Sequence, residues 1–224
     1  MSEAVGLLET IGLTPTMAAI DAMEKSARVR IIQCELNDFY GVSTKIAGAV
    51  AAVATAIEAG RRIAERMGGR PVAVVIPRPD PGAMEAIVAG PEFNPLIQQD
   101  VVFFPRFESA VGEAAAPSGL QPAALEQGAS MSHDSSLALG FIETQGFTAV
   151  FEAIDAACKA AKVEVIGKEK LGGGYVTVVV RGELSAVTAA VEAGKSKVGE
   201  LGKLIAAHVV ARPSPSVLAL LPKP

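Results

Sequence analysis

The sequence predicts an α/β chain of the α+β ferredoxin-like kind, built from two tandem β-α-β-β-α-β units. Three observations predict it: an internal repeat, the same hydrophobic periodicity in both copies, and a length of 224 residues, which holds two units of ordinary domain size. The segment Gly6-Leu7-Leu8-Glu9-Thr10-Ile11-Gly12 recurs as Gly140-Phe141-Ile142-Glu143-Thr144-Gln145-Gly146, a spacing of 134 residues. The spacing then holds without a gap, pairing Ala19-Ile20-Asp21-Ala22 with Ala153-Ile154-Asp155-Ala156, Lys25 with Lys159, Gly48 with Gly182, Glu58-Ala59-Gly60 with Glu192-Ala193-Gly194 and Arg78-Pro79 with Arg212-Pro213.

Each unit opens on a short apolar run, Val5 to Glu9 or Leu139 to Glu143, that ends at Gly12 or Gly146. In the first unit Thr14 then offers an N-cap and Pro15 a first-turn proline, so a helix is expected to start there. Met17, Ile20 and Ala27 fall on one face of it. In the second unit Phe151, Ile154, Cys158 and Ala161 do so, which predicts Cys158 in the core. Two β-rich runs follow, Val29–Leu36 with Val42–Ile46 and Val163–Lys168 with Tyr175–Arg181, each pair joined by a short loop. A second helix carries Val50, Val53 and Ile57, or Leu184, Val187 and Val191, on its apolar stripe. A last strand, Val72–Ile76 or Ala206–Val210, closes the unit. The expected result is an antiparallel sheet with both helices on one face. The stretch from Glu108 to Ser136, rich in Ala, Ser, Gly and Pro, reads as an exposed linker.

Composition narrows the function classes. Half the residues are hydrophobic but only 4% are aromatic, so the core is filled by Ala, Val, Ile and Leu. A formal charge of −4 gives no basic footprint for phosphates, and nucleic acid is not expected as a partner. The N-terminus has no basic leader and no segment reaches membrane-spanning length, so the chain reads as cytosolic with no membrane contact. Cys34, Cys158, His133 and His208 lie far apart without metal-ligand spacing, and no metal is expected. No nucleophile, acid and base converge in a known pattern. The glycines at 172–174 sit between two strands, not before a helix N-terminus, so they make no phosphate cradle. The chain is therefore expected to be no enzyme and to carry no cofactor.

The second unit brings together Gly140 to Gly146 as G-x-x-E-T-x-G, then Asp155-Ala156-Ala157-Cys158-Lys159-Ala160-Ala161, Lys170-Leu171-Gly172-Gly173-Gly174, Val180-Arg181-Gly182 and His208-Val209-Val210-Ala211-Arg212-Pro213. In this order the motifs resemble the BMC domain of bacterial microcompartment shell proteins. The resemblance implies two non-permuted BMC domains, residues 1–90 and 138–224, around a linker at 91–137. It further implies a homotrimeric, pseudohexameric disc that tiles into the shell through its edges, against other shell proteins and with encapsulated enzymes behind it. The central pore would pass small metabolites.

By the same resemblance the pore is lined by Asn37, Asp38, Phe39 and Tyr40 of the first unit and Leu171, Gly172, Gly173 and Gly174 of the second, three copies of each around a three-fold axis. Phe39 either narrows the opening or packs sideways into the repeat boundary. Lys25, Lys159, Arg78 and Arg212 match the family's disc edge. Some tandem members hold an iron–sulfur cluster at the pore, but neither loop here contains a cysteine. The rival reading, a tandem ferredoxin-like regulator that binds a small molecule between its units, shares the fold and differs in assembly.

Overall fold

The computed structural model describes residues 3–37, 39–105, 137–199 and 201–222. The first unit runs β1 (Ala4–Ile11), α1 (Leu13–Ser26), β2 (Arg30–Leu36), β3 (Gly41–Gly48), α2 (Val50–Arg66) and β4 (Val72–Ile76), with a short helix α3 (Pro81–Ile87) after it. Three two-residue strands follow, β5 (Phe93–Asn94), β6 (Gln99–Asp100) and β7 (Val102–Phe103). The second unit repeats the plan as β8 (Ala138–Gln145), α4 (Phe147–Ala160), β9 (Glu164–Gly172), β10 (Tyr175–Gly182), α5 (Leu184–Ser196), β11 (Lys203–Val210) and α6 (Pro215–Ala219).

Both sheets are antiparallel and have equivalent strand order, β4-β1-β3-β2 and β11-β8-β10-β9. One strand breaks the equivalence. In the first unit β7 pairs with β2 at Cys34 and Glu35 and so covers the sheet edge, whereas β9 has no such neighbour among the described residues. Thus residues 93–103, within the stretch expected as a linker, are folded onto the first unit. The rest of that stretch, from 106 to 136 and including His133, lies outside the described residues.

Alternation explains the two faces of each sheet. In the second unit Ala138, Ile142, Val176, Val178 and Val180 pack on Val150, Ala153, Ala157, Val187 and Val191 of the helices. Leu139, Phe141 and Val179 point the other way and join the core of the first unit. The second sheet therefore buries both faces, one on its own helices and one on the neighbouring repeat.

Two sequence expectations are corrected. Helix α1 begins at Leu13 with Gly12 at its N-cap, not at Thr14, and no side chain of its own segment caps it. Cys158 is exposed, and the core face of α4 is Ala149, Val150, Ala153 and Ala157 instead. Helix α4 carries two apolar stripes, and periodicity alone picked the one with the larger residues.

Candidate functional site

The junction between the repeats is built on Glu143. Strand β8 places it on the face turned away from its own helices, where it is fully buried. Its Oε1 accepts the Leu13 N–H at 2.9 Å and its Oε2 accepts the Thr14 N–H at 3.0 Å. A carboxylate at a helix N-terminus satisfies orphan amides and complements the helix dipole. Burial pushes the Glu143 carboxyl up from its ordinary range, and these amides pull it back. Gly12, at φ 92°, makes the approach possible, because a Cβ there would stand 2.9 Å from Glu143 Oε2.

The rest of α1 continues the contact. Leu13, Met17 and Ile20 are buried in the shared core with Val210 and Val217. Asp21 Oδ1 accepts the Ser214 N–H at 2.9 Å, and Glu24 takes the Ser216 hydroxyl at 2.6 Å and its N–H at 3.1 Å. His208, on β11, is shifted down by burial and up by the Asp21 charge, with burial the larger effect. One face of the first repeat's leading helix is thus seated against the second repeat.

The 134-residue spacing shows what is left over. The counterparts of Leu13 and Met17 are Phe147 and Phe151 on α4, which are exposed, Phe151 at 51%, and lie with ring centroids 6.3 Å apart. The counterparts of Ala206 and His208 on β11 are Val72 and Val74 on β4, also exposed, Val72 at 69%. Glu9, the counterpart of Glu143, is exposed and among the described residues accepts only Asn37 Nδ2, at 2.5 Å. The N-terminus of α4 has no side-chain cap. The chain therefore carries one mated junction and, at its two ends, both halves of a second one unmated.

The loops between the middle strands meet at one end of this junction. Tyr40, at φ 62°, lays its ring on Tyr175, with centroids 4.5 Å apart and planes at 6°. Phe39 stacks on the outer side of Tyr40 at 5.5 Å and is 73% exposed. The Tyr40 ring fills the space that a side chain at Gly173 would need. Asn37 folds its own loop, its Oδ1 accepting the N–H groups of Phe39 and Gly41 at 2.8 Å. Asn37, Leu171, Gly172 and Gly173 line one open cleft. Leu171 turns its side chain into the core, and Gly174 O accepts the Gly146 N–H at 2.8 Å. Asp38 lies outside the described residues. Phe39 is thus exposed and not packed into the repeat boundary, where the Tyr40 ring lies against Tyr175.

The basic residues expected at an edge stand apart from these loops. Lys25 and Lys159 are exposed and ion-paired one helical turn back, Lys25 to Asp21 at 2.5 Å and Lys159 to Asp155 at 2.6 Å. Arg78 and Arg212 are exposed at the ends of the closing strands. Among the described residues no group of three or more His, Cys, Asp and Glu is placed to hold a metal, and no helix is long and apolar enough to cross a membrane. The sequence reading missed Glu143, α3 and α6. The exact recurrence of Glu-Thr at Glu9 and Glu143, outside any catalytic pattern, was the available signal for the first.

Two copies of one α+β unit, joined head to tail by a helix N-terminus on a buried carboxylate, define a tandem-repeat protein. The BMC domain family matches residues 4–79 and 138–213, and the chain belongs to that family. Its relatives include the bacterial microcompartment shell protein PduA of Citrobacter freundii, 49% identical over 86 residues, which are 38% of this chain and 92% of the relative. The major carboxysome shell protein CsoS1A of Halothiobacillus neapolitanus is 49% identical over 94 residues, 42% of this chain and 96% of the relative. A solved microcompartment protein from Desulfitobacterium hafniense DCB is 24% identical with a TM-score of 0.36, covering 96% of this chain and 97% of that one.

Proposed function

We propose that this chain is a structural shell subunit of a bacterial microcompartment, with no catalytic role, whose domains span 1–90 and 138–224 and are joined by the segment 91–137, of which residues 93–103 fold onto the first domain. Three chains form a ring of six domains, and the rings tile into the shell. The relatives, named as shell proteins, support the class of function. The observation that carries the ring is the unmated half-junction. The faces with Phe147 and Phe151 and with Val72 and Val74 are the repeat counterparts of faces that mate within the chain. A contact of this head-to-tail kind generates a closed ring when its rotation closes. Each chain supplies two domains, so the six-domain ring that the family resemblance implies closes with three chains.

In that ring Phe147 and Phe151 of one chain cover β4 of the next, and Glu9 receives the free amides of α4 as Glu143 receives those of α1. Both rings are already about half buried in the single chain, so completing the burial of each contributes about 1 kcal/mol. The loops with Asn37, Asp38, Phe39 and Tyr40 and with Leu171, Gly172, Gly173 and Gly174 then surround a three-fold pore for small metabolites. Lys25, Lys159, Arg78 and Arg212 face neighbouring rings, where other shell proteins dock. Negative-stain imaging of concentrated protein tests the reading: flat hexagonal sheets or tubes are expected, and dispersed particles that never tile contradict it.

A further inference from the structure

We propose that the junction between chains in this ring is held by an ionic contact that the junction within the chain lacks, Lys168 and Lys170 of one chain against Glu35 of the next. The inference rests on the ring described above and adds the chemistry of its closing contact. Within the chain, Cys34 and Leu36 on β2 share a small cavity with Met17 on α1, Phe103 on β7, and Glu169 and Leu220 of the second repeat. The 134-residue spacing carries Cys34 to Lys168, Leu36 to Lys170, Met17 to Phe151 and Glu169 back to Glu35. The same corner between chains therefore exchanges a thiol and an isobutyl group for two ammonium groups, facing a carboxylate.

Three features fit that exchange. Lys168 Nζ already stands over the Phe151 ring, 5.4 Å from its centroid, on the helix face that the ring brings to the junction. Neither Lys168 nor Lys170 is ion-paired among the described residues. Glu35 is held by Lys45 through Oε2 at 2.6 Å and its side chain is one-third exposed, so it is oriented and open to a second cation. The partner that fits is a second copy of this chain. A carboxylate shared between two chains' lysines is favoured most where solvent is partly excluded, and it is weakened by salt.

Subunit exchange tests the contact on the intact protein. Two trimer preparations, labelled at the N-terminal amine with donor and acceptor fluorophores, are mixed and followed by energy transfer. The exchange rate should rise about tenfold between about 0.05 M and about 0.5 M salt. Lys168→Met with Lys170→Met should exchange at the high-salt rate and lose the salt response. Glu35→Gln should do the same, and combining all three should add nothing. A trimer whose exchange ignores salt, or a lysine variant that keeps the full salt response, overturns the contact and leaves the ring standing. A wild-type chain that forms no trimer overturns both.

Discussion

Glu143 and Thr14, separated by 129 residues, are joined by a 3.0 Å hydrogen bond from a backbone N–H to a fully buried carboxylate oxygen. The second oxygen takes Leu13 in the same way, so the first helix of one repeat is capped by the first strand of the other. Replacing Glu143 by Gln turns one acceptor into a donor aimed at an N–H. Stability should fall by about 1–3 kcal/mol, the cost of leaving a buried group unpaired, as read by denaturant unfolding. Glu9→Gln, at the exposed counterpart, should leave unfolding of the isolated chain unchanged and loosen the trimer.

Tyr40 and Gly173 form a second cross-repeat pair, in which the tyrosine ring occupies the space of a missing side chain. Gly173 also sits at φ 53°, where other residues are strained. Gly173→Ala should destabilise by about 1–3 kcal/mol. Much of that loss should vanish in a Tyr40→Ala background, because the clash is gone and only the backbone strain remains. A double-mutant cycle with no coupling would contradict the packing.

Glu169, beside the first repeat's core, is pushed up from 4.5 to about 7 chiefly by burial. Between those values the folded chain keeps a proton that the unfolded chain releases, so stability should fall as pH rises from 4.5 to about 7 and level off above. The loss across that window should be about 1–3 kcal/mol, and Glu169→Gln should remove it. Unfolding free energies measured at pH 5 and pH 8 for both proteins check the sign.

Lys25→Ala with Lys159→Ala removes two exposed ion pairs that contribute little to the fold, so unfolding should shift by less than about 1 kcal/mol. Trimers should persist while sheets fail to form, as read by sedimentation and imaging together. Sheets that survive the double substitution would take these lysines out of the edge contact.

The order of strands and helices was legible because both repeats alternate and turn with the periods that helices and sheets require, as Val53 with Ile57 and Val187 with Val191 illustrate. What could not be read were features set by contacts between repeats. The start of α1 was misplaced because its cap comes from Glu143, far along the chain, and local propensity at Thr14 and Pro15 had no competitor in view. Cys158 was placed in the core because a stripe that mates with another domain has the same period as one that mates with its own sheet. The folded residues 93–103 were taken as linker because strands of two residues are too short to show alternation, and β7 is held by its place on the edge of β2. At the loops, the residue types were visible, but the stacking of Tyr40 on Tyr175 depends on a positive φ at a tyrosine, which sequence does not announce.

In the proposed assembly the exposed faces of α4 and β4 close a ring of three chains. Sedimentation equilibrium on the wild-type protein and on Phe151→Glu tests it most directly, since Phe151 is exposed in the single chain and its loss should not harm the fold. The ring requires three times the 22.9 kDa chain mass for the wild type and a single-chain mass, with unchanged unfolding, for the variant. A wild type that is monomeric or dimeric, or a Phe151→Glu protein that remains fully trimeric, would contradict it.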